Sequence, residues 1–209
     1  MASRLSGLLP EQLQAASASL FDRLRTLPEW KSVLARSGTA RSHPDGRPEK
    51  SGVMLYMPGN DEPDVLPLAG EVSGLARLAL PRVTDWRQST MDAAWVENID
   101  GPPAGNMETT RHGIRQPSPA CPAADIAQID LCVVPGRAFD KLCNRLGRGG
   151  GFYDVFLRRA VFAGPHGRAP QRPVLVGVCF DEQVVERVPT DEFDVPLDIV
   201  VTPTTIYRR

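Results

Sequence analysis

The sequence predicts an α/β protein with an open, mostly parallel sheet that is covered by helices on both faces. Short apolar runs alternate with stretches of helical periodicity along the 209 residues. Two of these runs, residues 129–134 and 173–180, are apolar along most of their length, which is typical of strands buried on both faces. The sequence has no internal repeat and no low-complexity segment, so we expect residues 1–209 to form a single domain.

The first half of the chain contains the weaker predictions. Pro10 begins an apolar pattern with helical spacing that continues to Leu27. Residues 36–52 are polar and rich in residues that break regular structure, so we expect a long, mobile surface loop there. The rest is predicted as a strand at 53–57 ended by Pro58, a helix at 66–76, a strand at 78–80 ended by Pro81, and a weaker strand at 94–96.

The second half gives clearer patterns. A strand is predicted at 129–134, where Pro135 ends it, and others are predicted at 173–180 and 199–201. Between the first two, residues 152–162 place apolar side chains on one helical face. This part of the chain therefore predicts successive strands joined by a helix, as expected for a parallel sheet.

Composition excludes several classes of function. The 24 Lys and Arg residues nearly balance 25 Asp and Glu, and the formal net charge of −1 argues against a nucleic-acid partner. No apolar run reaches the length of a membrane span. The four cysteines form no C-x-x-C pair, which argues against a zinc or redox site. We expect a cytoplasmic monomer that binds small molecules and neither a nucleic acid nor a membrane. The alternative for the Ser-rich N-terminus is a transit peptide, against which Glu11 and Asp22 argue.

The stretch NRLGRGGGFYD, residues 144–154, is the most informative local motif. Four glycines and two arginines occur between Arg145 and Gly151, between a predicted strand and a predicted helix. Consecutive glycines allow successive backbone N–H groups to converge on an anion, and a helix N-terminus adds positive potential. Arg145 and Arg148 supply charge-assisted donors for phosphate oxygens. The motif predicts a phosphate site; the alternative is a tight connection that needs glycine only for left-handed turns.

Asp154 suggests which phosphate ligand is involved. A carboxylate beside a phosphate is unfavourable unless a cation lies between them, so Asp154 indicates a nucleotide bound with Mg²⁺. The alternative is a residue that only interacts favourably with the helix dipole. The loop matches neither the Walker A pattern nor the dinucleotide-binding pattern G-x-G-x-x-G.

Two segments resemble one known family. The segment VPGRAFDKLCNRLGRGGGFYDVFL, residues 134–157, is similar to the signature of 5-formyltetrahydrofolate cyclo-ligases, also called 5,10-methenyltetrahydrofolate synthetases. VPTDEFDVPLD, residues 188–198, resembles the C-terminal segment of that family. Weaker similarities occur at 56–62, 80–83 and 113–117, so the resemblance extends over about residues 9–202.

The resemblance implies an activity and a set of site residues. Family members convert 5-formyltetrahydrofolate and ATP to 5,10-methenyltetrahydrofolate, ADP and phosphate, through phosphorylation of the formyl oxygen. Arg148 and Tyr153 would be catalytic, and Mg²⁺ would be held by Asp154 and Asp194. ATP would be bound by Arg145, Gly147, Arg148, Gly149, Gly150, Gly151, Phe152 and Tyr153. The folate would be bound by Met57, Glu62, Arg148, Gly149, Gly150, Gly151 and Phe152.

The sequence also departs from the family pattern. The resemblance leads us to expect an N-terminal basic segment, with a lysine and an arginine on the family's first helix, and in this sequence only Arg4 could take their place. Val65 occupies the position of a threonine, and His112 that of an aromatic residue. These departures leave open an alternative, a non-catalytic relative that binds a nucleotide or folate. For Asp194 and Glu62, the alternative roles are a solvated loop carboxylate and a polar turn residue.

Overall fold

A computed structural model describes residues 9–36, 50–99, 106–162 and 172–209. Within these ranges the helices are α1 (Pro10–Thr26), α2 (Pro28–Ala35), α3 (Leu68–Leu75) and α4 (Phe152–Phe162), and two 3₁₀ turns lie at Ile126–Gln128 and Asp181–Gln183. The strands are β1 (Gly52–Met54), β2 (Arg77–Asp85), β3 (Thr90–Val96), β4 (Met107–Thr109), β5 (Arg115–Pro117), β6 (Ala123–Ala124), β7 (Ile129–Val134), β8 (Ala138–Asp140), β9 (Arg145–Leu146), β10 (Val174–Val178), β11 (Val184–Val185), β12 (Ile199–Val201) and β13 (Ile206–Arg208).

The main sheet has eight strands in the order β13-β12-β10-β7-β1-β2-β3-β6. The five strands from β12 to β2 are mutually parallel, whereas β13, β3 and β6 pair antiparallel at the two sides. Two small sheets, β11-β8-β9 and β4-β5, accompany it. The predicted α/β class with an open, mostly parallel sheet is confirmed.

Helices cover both faces of the sheet because alternate strand residues point to opposite sides. Val53 packs with α1, α2 and α3 in one apolar cluster, and its neighbour Met54 packs with α4 in the other. Leu20 and Leu24 of α1 are fully buried, and burying a leucine side chain contributes about 1.5–3 kcal/mol. Within the described residues, no helix combines the length and the apolar character needed to cross a membrane.

Most predicted elements are present, with shifted ends. The strand at 129–134, the helix at 152–162 and the strand at 199–201 have the predicted bounds. The predicted loop at 36–52 ends earlier, because Gly52 begins β1, and its residues 37–49 lie outside the described residues. Helix α2 was not predicted; it starts at Pro28, at a position in the first turn that proline favours.

The prediction that Pro81 ends a strand is wrong. Strand β2 continues through Pro81 to Asp85, and Pro81 lies opposite Ala93 of β3. The pairing between β1 and β2 reaches only Ala79. Beyond Ala79, β2 pairs with β3 and no longer with β1. Pro81 has no N–H group to donate, and it is tolerated here because its edge no longer forms a ladder with β1.

Candidate active site

A cavity of about 560 Å³ lies beyond the carboxyl ends of β1 and β7. Ligand sites of open α/β sheets commonly occur at such strand ends. Its walls come from residues 57–62 after β1, 81–91 of the β2–β3 hairpin, 113–116 near β5, and 135–136 and 145–154 after β7. The cavity thus combines an apolar wall, which includes Met57, with the glycine-rich loop.

Asp140 organises the segment that leads into the glycine-rich loop. Its buried carboxylate accepts hydrogen bonds from the N–H groups of Leu142, Asn144 and Val188 and from the side chain of Asn144, at 2.9–3.0 Å. Burial disfavours the carboxylate, but these hydrogen bonds outweigh burial and lower the pKa of Asp140. They hold the turn between β8 and β9 and so fix where Arg145 enters the site.

The glycine-rich loop needs glycine for local reasons as well. Gly149 and Gly151 have φ values of +86° and +69°, in the left-handed region that side chains disfavour. Helix α4 begins directly after the loop, at Phe152, and its first N–H groups lack intrahelical acceptors. The loop is therefore both a tight strand-to-helix connection and a possible anion site; the two interpretations of its glycines are compatible.

Arg145 is largely buried, and it contributes to the wall of the first cavity. Its side chain is 4% exposed and forms an ion pair with Asp154. Its guanidinium lies 5.6 Å from the centre of the Tyr153 ring. Burial raises the pKa of Tyr153 well above its ordinary value, so the phenol remains protonated near neutral pH and its O–H group can donate a hydrogen bond.

Arg148 is more accessible and contacts two acidic side chains after β1. Its Nε lies 3.1 Å from Oε1 of Glu62, and Nη2 contacts Asp61. Glu62 also accepts a hydrogen bond from the Gly59 N–H at 2.8 Å, and its side chain is only 7% exposed. Two residues that lie 86 positions apart and were predicted to bind ligand thus meet at one edge of the cavity.

A second cavity, of about 620 Å³, adjoins the first. Gly151 and Asp154 line both cavities, and Asp194 and Asp191 line the second. The structure therefore brings the two predicted metal-binding aspartates to one cavity. Gly149 is not among the residues that line either cavity, in contrast to the other predicted loop residues.

The two aspartates suit a cation that arrives with a ligand. The Asp154 carboxylate contacts Arg145 through Oδ1, and Oδ2 of Asp194 accepts the Asp191 N–H at 2.8 Å, so each carboxylate has a second oxygen for another contact. Among the described residues, no group of three or more metal-ligating side chains occurs. Mg²⁺ typically keeps several waters and takes only one or two carboxylates together with substrate phosphates. The donor set fits that mode and does not form a closed cage.

Three residues that the sequence analysis did not select contribute to the site. Asp140 holds the loop, Trp86 lines the first cavity, and Gln183 connects three loops. The Gln183 Nε2 lies 3.1–3.3 Å from the carbonyl oxygens of Asp61, Gly136 and Arg137. A buried glutamine of this kind has no sequence signal, whereas the Asp-x-x-x-Asn spacing of Asp140 and Asn144 is compatible with a side-chain-capped turn.

The departures from the family pattern can be located in part. Val65 is fully buried in an apolar cluster, which suits valine at this position. His112 is exposed and its ring centre lies 4.3 Å from that of Trp86. Arg4 lies outside the described residues.

Comparisons with known proteins agree on one family. The family model described as the 5-formyltetrahydrofolate cyclo-ligase family matches residues 42–203. The chain is 41% identical to the Mus musculus 5-formyltetrahydrofolate cyclo-ligase over 73 residues, 35% of this chain and 34% of that protein. It is 29% identical to the enzyme of the same name from Mycolicibacterium smegmatis over 154 residues, 72% of this chain and 73% of that protein.

Structural similarity extends further along the chain. The solved structure of Aquifex aeolicus 5,10-methenyltetrahydrofolate synthetase superposes with a TM-score of 0.73 at 29% identity, covering 99% of this chain and 87% of that one. By sequence, the chain spans only 28%, 34% and 39% of the curated relatives from Arabidopsis, mouse and yeast.

Proposed function

Since this chain belongs to the 5-formyltetrahydrofolate cyclo-ligase family, we propose that it is an ATP- and Mg²⁺-dependent enzyme that converts 5-formyltetrahydrofolate to 5,10-methenyltetrahydrofolate. ADP and phosphate are the other products. The reaction is carried out by the α/β fold as a single catalytic domain. The observation that carries the proposal is the pair of adjoining cavities that share Gly151 and Asp154 at the N-terminus of α4.

Two adjoining cavities suit a transfer between two substrates. The folate occupies the cavity lined by Met57 and Glu62, and the nucleotide phosphates approach from the side of Asp154 and Asp194. The transferring phosphoryl group then lies at the boundary, next to the glycine-rich loop. Holding both reactants in one geometry removes much of the entropic barrier to their reaction.

The chemistry requires charge neutralisation and positioning rather than a protein nucleophile. The formyl oxygen takes the γ-phosphoryl group and ADP leaves. N10 then attacks the activated formyl carbon and loses its proton to solvent, and phosphate leaves as the ring closes. Arg148 neutralises charge on the phosphoryl oxygens, since its half-exposed guanidinium is held by ion pairs that can be exchanged. Tyr153, which remains protonated, can donate a hydrogen bond from its O–H group to a phosphoryl oxygen.

Arg145 contributes indirectly. Its buried guanidinium supports the loop from below and orients Asp154. Asp154 and Asp194 are the residues we propose to hold Mg²⁺, which would supply neutralisation of the nucleotide phosphates. Both carboxylates line the same cavity.

The direct test measures methenyltetrahydrofolate by its absorbance, with purified protein, 5-formyltetrahydrofolate, ATP and Mg²⁺. We expect product only when ATP and Mg²⁺ are both present, with one ADP formed per methenyl product. Reactions without ATP and reactions with Arg148→Ala serve as controls. Binding of ATP without formation of any product would instead support the alternative of a non-catalytic relative and refute the proposed cyclo-ligase activity.

A further inference from the structure

Trp86 lines the first cavity but belongs neither to the glycine-rich loop nor to the pair of aspartates proposed to hold Mg²⁺. It lies in the turn between β2 and β3, is half-buried, and lines the cavity together with Val83, Met91 and Phe152. The centre of its ring system lies 5.4 Å from that of Phe152 in an edge-on arrangement. On another side it contacts His112, at 4.3 Å between centres.

The turn has polar contacts of its own that do not involve the Trp86 side chain. Oδ1 of Asp85 accepts hydrogen bonds from the N–H groups of Arg87 and Gln88 at 2.7 and 3.1 Å. The hydroxyl groups of Thr84 and Thr90 lie 3.1 Å apart across the hairpin. These polar contacts hold the turn, while the aromatic side chain of Trp86 forms part of the cavity wall.

The surroundings of Trp86 favour a planar, weakly polar ring as its ligand. Trp86 lines the first cavity and is absent from the lining of the cavity that contains Asp194. It therefore lies on the folate side of the proposed boundary and away from the paired carboxylates. Aromatic side chains bind planar heterocycles by stacking, and they lose little conformational freedom in doing so.

We propose that Trp86 contacts the pteridine ring of the folate substrate and sets the affinity for it. This assignment rests on the proposed function and adds a residue to it. Through its edge contact with Phe152, the first residue of α4, Trp86 also aligns the bound ring with the glycine-rich loop. The ring contact makes Trp86 a determinant of folate affinity and leaves ATP affinity unchanged.

Calorimetry of the full chain tests the assignment with four proteins: the parent, Trp86→Phe, Trp86→Leu and Arg87→Ala. Leucine fills space without an aromatic face, phenylalanine restores one, and Arg87 is an exposed neighbour on the same turn. We expect Trp86→Leu to weaken 5-formyltetrahydrofolate binding by at least about fivefold. Trp86→Phe should remain close to the parent, Arg87→Ala should equal it, and ATP binding should be unchanged in all four.

Tryptophan fluorescence supplies a second readout. Trp30 is buried with its Nε1 3.2 Å from Glu71, and Trp95 packs under Arg77; neither lines the two cavities. We expect 5-formyltetrahydrofolate to quench the emission of the parent, after correction for absorption by the ligand, and not that of Trp86→Phe.

The outcomes separate this assignment from the proposed function. If the parent binds no 5-formyltetrahydrofolate, both are overturned. If the parent binds it and Trp86→Leu binds it equally well, only the role of Trp86 is overturned. Loss of ATP affinity in Trp86→Leu, with folate affinity unchanged, would place the adenine ring there and would also overturn it.

Discussion

Replacing Asp154 with asparagine is expected to affect both stability and Mg²⁺ dependence. Asp154 is the ion-pair partner of Arg145, whose side chain is 4% exposed. Removing one partner of a fully buried pair costs about 3–5 kcal/mol. Asp154 itself is 29% exposed, and asparagine keeps one acceptor oxygen, so we expect a smaller loss of about 1–3 kcal/mol in the free energy of unfolding.

The expected loss can be measured by thermal unfolding without any ligand. For a chain of this size, about 2 kcal/mol corresponds to a Tm lower by about 4–8 °C. Asp194→Asn is the matched control, because the Asp194 carboxylate caps a loop N–H and does not neutralise a buried cation. We expect both variants to need more Mg²⁺ for half-maximal activity, and only Asp154→Asn to lose several degrees. An unchanged Mg²⁺ requirement in both variants would refute the metal assignment, and an unchanged Tm in Asp154→Asn would refute the structural one.

Three further substitutions test other parts of the site. Arg148→Ala should lower kcat by at least about tenfold through loss of charge-assisted contacts. The control is Arg137→Ala, which should leave kcat unchanged, although the Arg137 Nε also lies 3.9 Å from Oδ2 of Asp61. Equal kcat values for the two variants would remove Arg148 from the mechanism. Asp140→Asn should lower the free energy of unfolding by about 2–3 kcal/mol near neutral pH, measured by urea denaturation. Because the folded-state pKa of Asp140 lies below its ordinary 3.8, this contribution is present above that pH and lost as pH falls through the folded pKa; a deficit independent of pH would contradict the assignment. Gly151→Ala should lower the free energy of unfolding by about 1 kcal/mol and weaken ATP binding, because φ is +69° at this position. The control is Gly70→Ala, in helix α3 with open space around it, which should raise the free energy of unfolding by about 0.5–1 kcal/mol. Equal effects of the two substitutions would argue against a conformational requirement at Gly151.

The sequence predicts the parallel centre of the sheet because its strands are buried on both faces. Residues 199–201 are all apolar and residues 129–134 are apolar apart from Asp130, so their bounds follow directly from the sequence. Strand β2 is less regular because its pairing with β1 ends at Ala79, which allows Pro81 to remain in the part of the strand that pairs with β3. No property of the sequence alone shows where a neighbouring strand ends, so this element could not be predicted correctly.

The candidate site likewise has a part that the sequence predicts and a part that it does not. The glycine-rich loop carries its own signal, since glycines, arginines and a following helix are consecutive in the chain. The contact between Arg148 and Glu62 depends on how β1 and β7 pair, and the position of Trp86 depends on a hairpin turn packing against α4. Contacts of this kind arise only when distant segments are brought together, so the sequence identifies the participants more readily than their neighbours.

The carboxamide of Gln183 has a mechanical consequence for the site. One side chain, 4% exposed, joins the loop after β1 to two carbonyl groups of the loop after β7, and its own 3₁₀ turn follows β10. A shift of any one of these loops would strain the hydrogen bonds to the others, so we expect the three loops to move together if a ligand binds. Because these hydrogen bonds already order the three loops, we expect a ligand that contacts them to lose less entropy on binding than it would if the loops were free.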